Sequence, residues 1–164
     1  MTGIPLQCGR MAAAASEYCL LIDDFGGFGR DQEWLPRMTK LLPRLHVAVI
    51  AMKEPGSFFP AYHFPDDDKR CELYMRLHSI MGEDIFFWPA GDDSQVKNKL
   101  CDRLADDLTD MYFDLKNGLD VIECDPQQAV TNWLCSFYLH WNRHLLDAEY
   151  WLHAVDADIQ PLPV

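Results

Sequence analysis

The chain has 164 residues, with 26 acidic side chains against 14 basic ones and a formal net charge of −12. Binding to phosphate backbones and anionic lipid surfaces depends on clustered Lys and Arg, so this balance excludes nucleic acids and membranes as expected partners. A hydrophobic share of 49% is enough for one core. We therefore expect a single helical domain over 1–164, with its core at about 12–155 and frayed termini.

Cysteine usage and the absence of long apolar runs indicate the compartment. The six cysteines contain no C-x-x-C pair, and residues 4–11 are too polar for the apolar part of a signal peptide. No run approaches the roughly 20 apolar residues that span a bilayer. We expect reduced thiols and a cytoplasmic location.

Two amphipathic helices are predicted in the first third of the chain. The first runs from about Ala12 to Phe25 and ends at the glycine-rich stretch 26–29, which lacks the Lys-Ser/Thr ending of a phosphate-binding loop. The second, from about Asp31 to Met52, has apolar residues at alternating steps of three and four. This seam predicts lengthwise packing against other helices. Its members are Leu35, Met38, Leu42, Leu45, Val49 and Met52.

The middle of the chain predicts one helix between two irregular connectors. Asp66 to Asp68 place negative charge on the first turn of a third helix, which reaches Met81 before Gly82. Its expected core side is Cys71, Tyr74, Leu77 and Met81. Each connector carries aromatic residues that we expect to anchor it to the core: Phe58, Phe59 and Tyr62 in the first, and Phe86, Phe87 and Trp88 in the second.

Two long helices complete the chain. The fourth, from about Val96 to Glu123, has a regular apolar stripe: Leu100, Leu104, Leu108, Met111, Leu115, Leu119 and Ile122. The fifth begins with Asp125 as N-cap, Pro126 at the first position and Gln128 closing a capping box, and it runs to about Val155. The predicted fold class is all-α, a bundle of about five mostly antiparallel helices with irregular aromatic-containing connectors.

A cluster of polar residues on these two helices is the candidate site. On helix five, His140, His144 and Asp147 stand at i, i+4 and i+7, so they share one flank at the edge of the apolar face. Helix four carries acids at i, i+3 and i+7 beside its stripe: Asp107, Asp110 and Asp114. If these flanks face each other, imidazoles and carboxylates converge, which suits Zn, Fe or Mn; His140, His144 and Asp147 are the candidate metal ligands.

Other interpretations of the cluster remain open. Neither H-E-x-x-H nor Glu-x-x-His is present, so the metal signal is of low specificity. A structural network of His and Asp that fixes the helix register accounts for the same residues. A His beside a carboxylate could also act as a general base that removes a proton from the hydroxyl of Ser136 or Tyr138. Arg143 on the same helix is expected to pair with an acid.

The stretches that carry this cluster resemble a bacterial family known as domain of unknown function 5063. The resemblance is carried by LADDLTDMYFDLKNGL at 104–119 and FYLHWNRHLLDA at 137–148, with further similarity at 41–45 and around 83–84. It covers most of the chain from Ser16 to His153. It implies a small helical bacterial protein of the cytosol and supplies no activity, substrate or catalytic residue.

Two functions of different classes follow. The favoured one is a non-catalytic interaction or accessory protein without a cofactor, acting through a protein partner or self-association; it requires an exposed apolar patch. The alternative is a bundle that binds a divalent metal or catalyses hydrolysis, which requires an open cavity and ligands within bonding distance. Enzymatic activity stays open, with a non-enzymatic role favoured.

Overall fold

The computed structural model describes residues 6–26, 33–53, 64–83 and 94–156. These ranges form helices and no strand, which confirms the all-α bundle. The helices are α1 (Leu6–Asp24), α2 (Trp34–Ile50), α3 (Asp67–Glu83), α4 (Ser94–Leu119), α5 (Pro126–Ser136) and α6 (Asn142–Asp156), with a π-helical turn at Phe137–Trp141. The backbone stays in right-handed helical angles through both junctions of that turn. α5, the π turn and α6 therefore form one continuous C-terminal helix.

α4 is the central element of the bundle. It packs against α1, α3, α5 and α6, while α2 packs against α1 and α6. The direction of α3 follows from two contacts: Arg70 early in α3 binds Asp110 on α4, whereas Lys97 early in α4 donates to the carbonyl of Gly82 near the end of α3. α3 and α4 are therefore antiparallel. Within the described ranges, none of the helices combines the length and the apolar composition needed to cross a lipid bilayer.

The apolar stripe predicted on α4 forms part of the core. Its buried members within the helix are Leu100, Leu104, Leu108, Met111 and Leu115. Three indoles are among the largest fully buried side chains in the described ranges, those of Trp34, Trp133 and Trp141. Their polar nitrogens are satisfied inside the core: Trp34 donates to the carbonyl of Leu21, Trp133 to that of Leu115, and Trp141 to the hydroxyl of Ser136.

The start of α5 confirms the predicted N-cap. The carboxylate of Asp125 accepts from the backbone N–H of Gln128 at 3.0 Å, and Pro126 occupies the first helical position. The second half of the capping box is not made, since the backbone N–H of Asp125 donates to the carbonyl of Val121 instead.

Two predicted helix limits were wrong. α1 begins at Leu6 rather than Ala12, because Cys8 and Met11 are buried and extend its core face toward the N-terminus. α4 ends at Leu119, and residues 120–124 form turns that lead directly to the cap of α5. The apolar pattern continues through those turns because Ile122 is also buried.

The predicted core side of α3 was also partly wrong. Cys71 is exposed, and the buried row is Leu73, Leu77 and Met81. This orientation places Arg70 beside the acids of α4. The six connector aromatics named above, from Phe58 to Trp88, lie outside the described residues. All six cysteines are free, and four of them are buried.

Candidate metal centre

The acidic flank of α4 faces the imidazole flank of the C-terminal helix. Asp107, Asp110 and Asp114 are only 6%, 8% and 3% exposed, because α6 and the π turn cover them. His140 lies in the π turn and His144 in the first turn of α6, and both are partly buried. We call these five residues the His–Asp cluster.

Each imidazole of the cluster is held by a buried carboxylate. Nδ1 of His140 lies 2.6 Å from Asp114 Oδ2, and Nδ1 of His144 lies 2.8 Å from Asp107 Oδ1. The later histidine pairs with the earlier aspartate, so α4 and the C-terminal helix are antiparallel here. Because an ionised carboxylate only accepts hydrogen bonds, both Nδ1 atoms carry the proton and donate it. Nε2 is then the ring nitrogen through which each histidine can bind a metal.

Both Nε2 atoms face the third carboxylate. Asp110 Oδ2 lies 3.4 Å from Nε2 of His144 and 3.9 Å from Nε2 of His140. The two imidazole rings stand edge to face with centroids 4.8 Å apart. Asp110, His140 and His144 each place one donor atom within 4.8 Å of the others. A second group, Asp106, Asp107 and His144, meets the same limit.

Two residues of the site were missed by the sequence prediction. Arg70 on α3 donates from Nε to Asp110 Oδ1 at 2.6 Å and from Nη2 to Asp110 Oδ2 at 2.9 Å. The same Nη2 donates to Asp106 at 2.7 Å. The available signal was electrostatic: three acids beside an apolar stripe must find a cation once they are buried. The sequence does not say which cation, because Arg70 is 40 residues from Asp110.

Burial and mutual charge shift the titration of the site. Burial raises the pKa of Asp107, although the hydrogen bond from His144 acts in the opposite direction. Burial on its own lowers the pKa of His144, but the hydrogen bond to Asp107 and the negative charge of Asp110 outweigh it, so the pKa is raised. The hydrogen bond to Asp110 is the largest reason that the pKa of Arg70 is raised. The site therefore attracts positive charge, either as protons or as a metal ion.

The remaining predicted members lie at the rim of the cluster. Asp147 and Arg143 are exposed and line a groove of about 420 Å³ between α4 and α6, together with His144 and Asp107. Asp147 belongs to neither group of converging donors, and it acts on the cluster through its charge, which contributes to the raised pKa of Asp107. The exposed Arg143 forms no ion pair with a described residue.

The two hydroxyls that a general base could deprotonate, those of Ser136 and Tyr138, are not part of the His–Asp cluster. The Ser136 hydroxyl donates to the carbonyl of Asn132 and accepts from the indole of Trp141, so it is satisfied within its own helix. Tyr138 is 56% exposed. Two histidines outside the cluster also have carboxylate neighbours: His78 lies 2.7 Å from Asp102, and His46 lies 3.6 Å from Glu149.

Comparisons with known proteins identify a family and a fold. No curated protein matches the chain. The crystal structure of protein BF1032 from Bacteroides fragilis matches with a TM-score of 0.69 at 19% identity, over 97% of this chain and 98% of that chain. At that identity the likeness shows a shared fold alone. A family model described as a domain of unknown function, DUF5063, matches residues 5–158. Since that match spans nearly the whole chain, the protein belongs to the DUF5063 family.

Proposed function

We propose that this protein binds one divalent transition-metal ion, of the zinc class, between α4 and the C-terminal helix. The ligands are Nε2 of His140, Nε2 of His144 and the carboxylate of Asp110. The observation that carries the proposal is the orientation of the two imidazoles. Each Nδ1 is paired with a buried carboxylate and each Nε2 faces Asp110. Carboxylate–histidine pairs of this kind orient metal-ligating histidines and make them more basic.

Ligand spacing supports a tetrahedral centre. Bonds of about 2.1 Å to nitrogen and oxygen place neighbouring tetrahedral ligands about 3.4 Å apart. The separations of 3.4 Å and 3.9 Å between Asp110 Oδ2 and the two Nε2 atoms are close to that value. Three protein ligands leave a fourth position open, and the groove lined by His144 lies beside it.

The charge of the site supports a bound cation. The site holds four carboxylates and one guanidinium: Asp106 and Asp110 bind Arg70, while Asp107 and Asp114 pair with the two imidazoles. When both imidazoles are neutral, these five groups carry a net charge of about −3. One divalent ion or two imidazolium protons reduce it equally, so metal and protons compete for the same site.

Metal analysis of untagged protein tests the proposal, with variants that separate ligation from folding. We expect zinc, manganese or iron to bind in a 1:1 ratio to the wild type and to be lost in His144→Ala. His153→Ala is the matched control, since His153 is an exposed histidine on the same helix, and it should retain the metal. Circular dichroism checks that His144→Ala is folded. A wild type that binds no metal, or equal metal content in both variants, would contradict the proposal.

A second function is supported by the outer surface of the C-terminal helix. Four large apolar side chains there are 50–56% exposed: Tyr138, Leu139, Leu146 and Tyr150. Apolar surface of this kind is typical of contacts with a protein partner or a second copy of the chain. The non-catalytic interaction role therefore remains a proposal beside the metal site. Sedimentation of Leu146→Glu against wild type tests self-association, and identical monomeric behaviour of both would count against a second copy.

A further inference from the structure

The groove between α4 and α6 combines basic and aromatic side chains next to the proposed metal. Arg103 projects from α4 and Arg143 from α6, and both line the groove. Tyr150 and Trp151 line it as well, with their rings edge to face and centroids 5.0 Å apart. Since His144 lines the same groove, a molecule bound there can reach the metal's open position.

Of the arginines in the described ranges whose side chains have no acidic or carbonyl partner, Arg103 and Arg143 line this groove, whereas Arg10 and Arg37 do not. Arg70 binds two aspartates, Arg44 binds Glu17, and Arg76 donates to carbonyls at the end of α1. Arg103 and Arg143 form no ion pair or hydrogen bond with a described residue. A guanidinium presents a planar set of donors that matches phosphate and carboxylate oxygens. Two of them on opposite walls of one groove indicate an anion that both can reach.

The volume and the aromatic side chains limit the kind of anion. A groove of about 420 Å³ lies at the size of sites for small organic molecules, and aromatic rings in such sites pack against planar groups. We propose that this groove binds a small phosphate monoester that carries a planar ring. This inference rests on the metal function proposed above. The phosphate lies between Arg103, Arg143 and the metal, and the ring packs against Trp151.

Binding of this anion depends on the metal. Asp106, Asp107 and Asp147 also line the groove, and their negative charge repels a phosphate when the site holds no cation. A divalent ion reverses the balance at the end of the groove nearest His144. Because coupling between two bound groups is reciprocal, the phosphate must also tighten metal binding by the same factor.

Cobalt(II) allows both events to be measured on one sample, because its visible spectrum reports tetrahedral coordination and responds when a ligand enters the open position. We expect cobalt to bind to the full chain, and phenyl phosphate to change the spectrum only after cobalt is present. Arg103→Gln and Arg143→Gln should each weaken phenyl phosphate at least about tenfold, the scale of one charge-assisted hydrogen bond. Both variants should keep their affinity for cobalt alone. Arg44→Gln, whose arginine lies on α2, is the control and should bind phenyl phosphate like wild type.

The outcomes separate this inference from the metal function beneath it. Cobalt binding that requires His144, with no response to phenyl phosphate, overturns the anion site and leaves the metal site standing. Failure of cobalt to bind overturns both. Phenyl phosphate that binds equally with and without cobalt overturns the metal dependence, and equal affinity for inorganic phosphate overturns the role of the planar ring.

Discussion

Replacing Arg70 distinguishes a metal site from a purely structural ion network, because only a metal site predicts tighter zinc binding in the variant. Arg70→Met removes one positive charge and two hydrogen bonds from Asp110 while keeping much of the side-chain volume. In the metal-free protein this leaves a buried carboxylate without its main partner, at a cost of about 3–5 kcal/mol in the free energy of unfolding. Metal affinity should rise, because a cation that repels the ion has gone and Asp110 is released from its competitor.

The size of the increase follows from the geometry. Arg70 Nη2 lies 2.9 Å from Asp110 Oδ2, and a metal bonded to that oxygen lies about 2.1 Å beyond it, so the two charges are about 5 Å apart. One unit charge and one divalent ion at that distance repel by about 1.7 kcal/mol even at the dielectric constant of water. Because the Arg70 side chain is only 29% exposed, the actual repulsion is larger. We therefore expect zinc to bind at least about tenfold more tightly to Arg70→Met.

Competition against a chelator of known zinc affinity measures the change, and thermal unfolding with and without zinc provides an independent check. The melting temperature of Arg70→Met should be lower than that of wild type without zinc and should rise more when zinc is added. Arg44→Met makes the same change of net charge on α2, where Arg44 pairs with Glu17, and should leave zinc affinity unchanged. Equal or weaker zinc binding in Arg70→Met would refute Asp110 as a ligand.

Three further changes test the packing and the electrostatics of the bundle. Gly118→Ala in α4 directs a methyl group into the buried indole of Trp133, so it should destabilise by about 1–3 kcal/mol despite the better helix propensity of alanine. Gly9→Ala in α1 meets open space and should stabilise by about 0.5–1 kcal/mol; urea unfolding measures both, and a Gly118→Ala protein as stable as wild type would contradict the packing. Burial raises the pKa of Glu149, which means that its charged form costs stability as the pH rises above the unfolded value of 4.5. Glu149→Gln should therefore be more stable than wild type at pH 7, and the difference should shrink toward pH 4; a difference that does not vary with pH would contradict it.

The residues that share a flank could be predicted from sequence because helical periodicity is local. The spacing of Asp107, Asp110 and Asp114 places them together on any regular helix, and the same holds for His140 and His144. The short connection between the two helices favours antiparallel neighbours. These two rules indicated that the acids and imidazoles converge if the two flanks face each other, and in the structure the flanks are in contact.

The π turn at Phe137–Trp141 was not predicted, although the sequence carries a signal for it. Five buried residues follow one another at intervals of four: Ala129, Trp133, Phe137, Trp141 and Leu145. A regular α-helix has 3.6 residues per turn, so such a row moves progressively away from the core. One wider turn returns the row to the core side. A pattern search that assumes a constant angle per residue cannot detect this compensation.

The contacts of Arg70 were beyond prediction for a different reason. They join residues 36 and 40 positions apart on two helices. The sequence around a charged residue on a helix does not identify a distant residue with which it forms an ion pair. Three-dimensional packing decides that α3, rather than another helix, lies against Asp106 and Asp110. The same packing leaves Asp147 exposed at the rim of the groove between α4 and α6.

The His–Asp cluster is difficult to explain by stability alone. Removing charges from water costs several kcal/mol each, and replacing a buried ion network with apolar side chains is often neutral or stabilising. A bundle that needed only to fix the register of α4 could do so with one polar pair. Here four carboxylates, two imidazoles and a guanidinium meet at one place, and it lies next to a groove instead of in the middle of the apolar core. Charged groups that are costly to bury and also accessible to a ligand are expected at a cation site, and they favour a metal site over a structural network.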